Sequence, residues 1–147
     1  MPTTAKLAAA IWFALIGLVA ANAFLPVLGE SAGGSGMLLP ASAAIGLVCG
    51  WIVMGGAIGK GMADAVAGGL QTVAVMVFFA LLIFSAREMI SEAFKMRYDG
   101  PVEAMLGWAV LMMKNGQSML TVGVVGALAV GALVGGPLCE WVGRRWR

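Results

Sequence analysis

The chain has 147 residues, 61% hydrophobic and 11% charged, with a net charge of +2 and a mean hydropathy of +0.98. Nine basic and seven acidic side chains cannot cover a water-exposed globule of this size, so a soluble domain is excluded and lipid must be the solvent for most of the surface. The absence of histidine removes the imidazole metal sites and the usual general base, and no basic stripe suited to nucleic acid is present.

Long apolar runs predict an all-α integral membrane protein: a single membrane domain of four transmembrane helices plus a short interfacial helix. The first span, residues 7–25, carries no charge and would extend about 28 Å, which matches the hydrocarbon thickness. Lys6 and Trp12 at its start read as membrane-interface anchors, and Pro26 is expected to close it. Ala21-Asn22-Ala23 has the form of a signal-peptide cleavage site, but the segment reads as a true helix.

Residues 26–39 include Gly29-Glu30-Ser31-Ala32-Gly33-Gly34-Ser35-Gly36, which predicts a flexible connector. Pro40 then opens a second span, residues 40–59, as a first-turn proline. Gly46 with Gly50, and Gly55 with Gly59, make two small-residue pairs expected to pack helices closely. The charged stretch from Lys60 to Asp64 is long enough only for an antiparallel hairpin. The third span, residues 65–86, is expected to emerge from the bilayer and continue as a helix, with Met89, Ile90, Ala93 and Phe94 on one side and Glu88, Ser91, Glu92 and Lys95 on the other.

Tyr98-Asp99-Gly100-Pro101 predicts a turn, and residues 101–114 are too short an apolar run to span, so they read as an interfacial or re-entrant helix. The last span covers residues 117–136, with Gly131 and Gly135 as another packing pair and Pro137 interrupting the helix. Residues 137–147 form a C-terminal anchor in which Trp141 and Trp146 sit at the headgroups while Arg144, Arg145 and Arg147 meet lipid phosphates.

An even number of spans places both termini on one side, with Lys6, Lys60, Arg144, Arg145 and Arg147 there and Arg87, Lys95, Arg97 and Lys114 opposite. The dense C-terminal cluster assigns that side to the cytoplasm of a bacterial inner membrane.

No ionisable residue falls at mid-depth in any span, which argues against a proton-coupled carrier, and no catalytic residues, metal ligands or cofactor site are identified. Bound lipid and neighbouring transmembrane helices are the expected partners. Asn22, Gln71, Thr72 and Thr121 read as interhelical hydrogen-bonding groups. Asp64 and Glu140 read as capping and surface-pairing residues, Glu140 with Arg144 one turn on. Cys49 and Cys139 lie at different depths and are not expected to pair. Cys139, close to Arg144 and Arg145, is the more plausible reactive thiol, although packing is the ordinary role for both.

Several stretches resemble the TrgA family of bacterial tellurite-resistance membrane proteins. They are Met1-Pro2-Thr3-Thr4-Ala5-Lys6-Leu7, Trp51-Ile52-Val53-Met54-Gly55 with Gly59-Lys60-Gly61, Met96-Arg97-Tyr98-Asp99-Gly100-Pro101-Val102-Glu103-Ala104, and Glu140-Trp141-Val142-Gly143-Arg144-Arg145-Trp146. The resemblance implies a small inner-membrane protein associated with tellurite resistance, and it supplies no catalytic residues. Two other readings of the sequence stand beside it: a structural accessory subunit of a respiratory or photosynthetic membrane complex, and a homo-oligomeric channel.

Overall fold

The computed structural model describes residues 3–28 and 35–145, which are helical apart from short turns and contain no strand. The helices are α1 (Thr3–Leu28), α2 (Ser35–Cys49), the three-residue α3 (Gly55–Ala57), α4 (Met62–Phe94), α5 (Pro101–Met119) and α6 (Val122–Arg145). A π-helical turn, Gly50–Met54, links α2 to α3, so these two form one continuous span. Four stretches are long and apolar enough to cross a membrane: Thr4–Pro26, Gly36–Ala57, Met62–Phe94 and Val122–Arg145. The protein is therefore a multi-pass helical membrane protein, with α5 as a fifth, shorter helix.

The spans run past the ends that the prolines suggest. In hydrocarbon a helix that stops strands several backbone donors and acceptors, whereas a proline strands one, so continuing is the cheaper course. Pro26, expected to close the first span, lies inside α1, Pro40 lies inside α2 rather than at its start, and Pro137 lies inside α6 without ending it. The anchor expected over residues 137–147 is thus, as far as Arg145, the last turns of α6. At the other end α6 begins at Val122, five residues later than the expected 117, because those residues extend α5 to Met119. Of the connector expected over residues 26–39, residues 29–34 lie outside the described residues, and its flanks are helix.

α1 packs on α2 and α6, and α4 packs on α6 and more sparingly on α2. Successive spans are antiparallel, so the start of α1 and the end of α6 share one end of the bundle with the 58–61 turn, and the α4–α5 connection stands at the opposite end. That first turn is made by two glycines in left-handed conformations, Gly59 at φ 91° and Gly61 at φ 128°.

Lipid gives no hydrophobic push between helices, so close backbone approach must hold them together. Small residues recur at steps of four along each crossing. A Cβ on Gly17 would fall 2.5 Å from the Ser42 carbonyl oxygen, and one on Gly50 2.7 Å from that of Ala9, with Gly46 against Phe13 between them. The α4–α6 crossing is reciprocal: Gly69 abuts the carbonyl of Ala132 and Gly136 that of Ala65, each at 2.5 Å for an added Cβ. Two apolar clusters fill the space between. One joins Ala9, Phe13, Met54, Ala65 and Cys139 towards the chain-end side. The other joins Ala21, Phe24, Leu38 and Val124, with Phe84 and Met119 packed on it, at the far side.

Candidate functional site

The polar chemistry of this molecule is concentrated at the two ends of the bundle. At the chain-end side Glu140 is 2% exposed, a burial that a surface-pairing role does not predict. The α6 face that carries Ala132 and Gly136 reaches Glu140 one step of four further on, where α4 has already given way to the turn. The carboxylate therefore meets loop backbone instead of helix: Oε2 accepts a hydrogen bond from the Gly59 N–H at 2.8 Å, and Oε1 accepts one from Arg144 Nε at 3.1 Å. Gly143 beside it lets Ile58 and Ala5 close over the same turn. Burying a carboxylate is tolerated where charge-assisted donors surround it. The arrangement fastens the turn to α6.

At the opposite end α5 folds back along the C-terminal part of α4. Asn115 Nδ2 donates to Glu88 Oε2 at 2.9 Å and to the fully buried Ser85 Oγ at 3.3 Å. Tyr98 donates its hydroxyl to Glu92 Oε2 at 2.8 Å, Arg97 pairs with Glu92 Oε1 at 3.1 Å, and the Tyr98 ring fills the space left by Gly107. The hydrogen bond to Glu92 holds the Tyr98 phenol above its ordinary pKa, because ionisation would remove the donated proton beside a carboxylate. Trp108 turns its indole Nε1 into this interface without a partner. The charged end of α4 and the turn after it are thus partly a helix-to-helix seam.

Other expected site residues fall as follows. Trp12 is not an interfacial anchor: it points into the α1–α6 seam, donates Nε1–H to the Gly131 carbonyl at 3.2 Å and lies against Gly135. Lys6 lays its aliphatic stem over Gly55. Trp141 is exposed, and the Arg145 guanidinium stands 5.3 Å from its ring centre. Arg144 is exposed as well, whereas Trp146 and Arg147 lie outside the described residues. Gly46, Gly50, Gly55, Gly131 and Gly135 sit at helix contacts, whereas Gly59 belongs to the turn between α3 and α4.

Cys139 is fully buried within the core cluster and Cys49 is nearly so, and both are free thiols. The electropositive, accessible setting that a reactive thiol requires is not the one Cys139 occupies. Thr72 and Thr121 donate to the carbonyls of Gly68 and Ser118 in their own stretch of chain, so neither bridges helices. Asn22 and Gln71 are exposed. Trp12 and Asn115 make the interhelical ties instead, and Glu140 ties α6 to the turn. Sequence inspection singled out Trp12 and Glu140 for other roles, and gave Asn115 none.

Among the described residues no three or more Cys, Asp or Glu side chains converge as metal ligands would. A cavity of about 30 Å³ lies between α1, α2, α4 and α6, lined mostly by apolar groups such as Ala20, Phe24, Met76 and Leu128, with Ser42 among them. Space of that size and polarity suits a methylene or two and gives a water too few partners. Comparison with protein-family models, with curated proteins and with solved structures returned no match to this chain.

Proposed function

We propose that this chain is a bacterial inner-membrane protein of the TrgA type that limits tellurite damage without catalysing a reaction, with both termini in the cytoplasm. The observation that carries this reading is where its most family-like stretches fall. Tyr98-Asp99-Gly100-Pro101 supplies the phenol bonded to Glu92 and the proline that opens α5. Glu140-Trp141-Val142-Gly143-Arg144-Arg145-Trp146 supplies the carboxylate on Gly59, the glycine under Ile58 and the Arg145–Trp141 stack. The resemblance therefore lies in the residues that tie the two ends of the bundle, and it supports a shared architecture better than a shared apolar composition would.

The burial of Cys139 favours an effect exerted through the membrane assembly over direct attack of a thiol on tellurite. Lys6, Lys60, Arg144 and Arg145 at the chain-end side support the cytoplasmic assignment of that face. Deleting the gene and restoring it on a plasmid, with growth scored over a tellurite series, tests the reading: tolerance should fall and then recover. Unchanged tolerance would reject it. Stoichiometric co-purification with respiratory or photosynthetic proteins in mild detergent would favour the accessory-subunit role in its place.

A further inference from the structure

The two ends of the bundle differ in charge. At the end that holds the 58–61 turn, the described residues carry Lys6, Lys60, Arg144 and Arg145 against Asp64 and Glu140. At the opposite end Arg87, Lys95, Arg97 and Lys114 meet an equal number of carboxylates, Glu88, Glu92, Asp99 and Glu103. Burial widens the difference, because Glu140 is 2% exposed and its oxygens accept from the Gly59 N–H and from Arg144. Among the described residues Asp64 is then the one exposed carboxylate at the turn end.

The four cations come from three elements and gather around the turn. Lys6 lays its stem over Gly55, and its neighbour Ala5 lies against Gly143 of α6. Lys60 follows Gly59, the residue that Glu140 holds, and Arg144 follows Gly143. Among the described residues Lys6, Lys60 and Arg145 form no ion pair. The Arg144 guanidinium gives Glu140 its Nε alone, so its terminal N–H groups are left for a further acceptor. The depth is that of the headgroups. Arg145 stands 5.3 Å from the ring of Trp141, which is exposed one turn earlier on α6, and indoles of this kind belong at the boundary between acyl chains and water. Lys6 lies just inside the first span, and its long stem lets the ammonium reach that boundary.

We infer that Lys6, Lys60, Arg144 and Arg145 form one binding site for the phosphate of an anionic lipid in the adjoining leaflet, and that the bound lipid holds the turn to α6 alongside the Glu140 tie. Charge complementarity selects the partner: a zwitterionic lipid brings its own ammonium to a place already rich in cations, whereas an anionic headgroup does not. The planar N–H groups of Arg144 suit phosphate oxygens. An anchor made of the C-terminal residues alone would need neither Lys6 nor Lys60.

The test uses the full chain purified in mild detergent, with phosphatidylglycerol or phosphatidylcholine added in equal amounts. Native mass spectrometry should show one phosphatidylglycerol retained per chain under conditions that strip phosphatidylcholine, and phosphatidylglycerol should raise the thermal midpoint. Lys60→Gln with Arg145→Gln, both exposed and outside the Glu140 tie, should abolish that rise. The pair should also weaken retention by about 25-fold, at about fivefold per cation beside a lipid surface. Arg87→Gln with Lys114→Gln at the other end removes the same charge and should leave both readouts unchanged. Lys6→Gln alone should weaken retention by about fivefold, which separates this site from a C-terminal anchor. Inorganic phosphate at the same concentration should neither displace the lipid nor raise the midpoint. Equal retention of the two lipids, equal losses in the two double variants, an unaffected Lys6→Gln, or stabilisation by inorganic phosphate as large as that by phosphatidylglycerol would each overturn the site.

Discussion

The carboxylate of Glu140 accepts a hydrogen bond from the backbone N–H of Gly59 at 2.8 Å, across 81 residues of sequence. Removing it leaves a partly buried amide without an acceptor, a loss of about 1–3 kcal/mol. Glu140→Ala should therefore lower unfolding stability by about that amount in detergent micelles, read by loss of helical circular dichroism against denaturant. Glu140→Gln, which keeps an oxygen acceptor, should cost less. Arg144→Ala should cost under about 1 kcal/mol, since that side chain is 64% exposed and the ion pair is largely screened. Equal stability of Glu140→Ala and the unaltered protein would show that the tie is dispensable.

Gly136 and Gly126 stand on the same helix in opposite circumstances. A Cβ at Gly136 would sit 2.5 Å from the Ala65 carbonyl oxygen, whereas one at Gly126 would meet nothing within 4 Å. Gly136→Ala should force α4 and α6 apart and cost about 1–3 kcal/mol. Gly126→Ala should be neutral or add up to about 1 kcal/mol through helix propensity. The pair of unfolding curves distinguishes close packing from mere glycine content, and a matched response at both positions would contradict the crossing described above.

The helical class and the four spans could be read from apolar run length alone, because a bilayer fixes the length a helix must have. Helix ends were less legible. Pro26, Pro40 and Pro137 carry stop and start meanings learned in water, where a freed amide finds solvent, and those meanings weaken in lipid. Glycine spacing pointed to Gly46, Gly50, Gly131 and Gly135, which sit at helix contacts, yet missed Gly69 and Gly136, whose small neighbours one step of four earlier are the alanines Ala65 and Ala132. Glu140 was read as a surface residue because its neighbour Arg144 satisfies the i,i+4 rule. Only the three-dimensional position of the turn shows that the carboxylate faces inward.

Met96 ends α4 at φ 52°, a left-handed conformation that usually falls to glycine, with its amide donating to the Ala93 carbonyl and that of Arg97 to Glu92. A side chain in that region costs about 1–2 kcal/mol, and Met96, 91% exposed, gains no packing in return. Met96→Gly should raise stability by about 1 kcal/mol, while the β-branched Met96→Val should lower it. If the two variants melted together, the helix end would not have the conformation seen.

The two thiols provide an inexpensive check on the interior. Cys139 is 0% and Cys49 5% exposed. Reaction with a bulky maleimide should be at least about a hundredfold slower in the folded protein than after denaturation, because the reagent must wait for a local opening of some 3 kcal/mol. Mass spectrometry of the labelled chain would assign each site. Rapid labelling of Cys139 in the folded state would restore a thiol route to tellurite.

Tyr98 is the single tyrosine of the chain, so phenolate absorbance reports on it alone. Its hydrogen bond to Glu92 and the carboxylate's charge raise its pKa, whereas Arg97 pulls the other way. A phenol whose folded pKa lies above its unfolded value of about 10 stabilises the fold fully at pH below that value. The contribution is then lost as pH climbs through the folded pKa. The absorbance midpoint should therefore lie above that of the denatured chain, and Glu92→Gln should bring it back down while leaving α4 helical. Loss of the contact should also loosen α5 at alkaline pH, visible as faster proteolysis after Lys95 or Arg97. A midpoint no higher in the folded protein than in the denatured one would mean that the Tyr98–Glu92 bond does not form in solution.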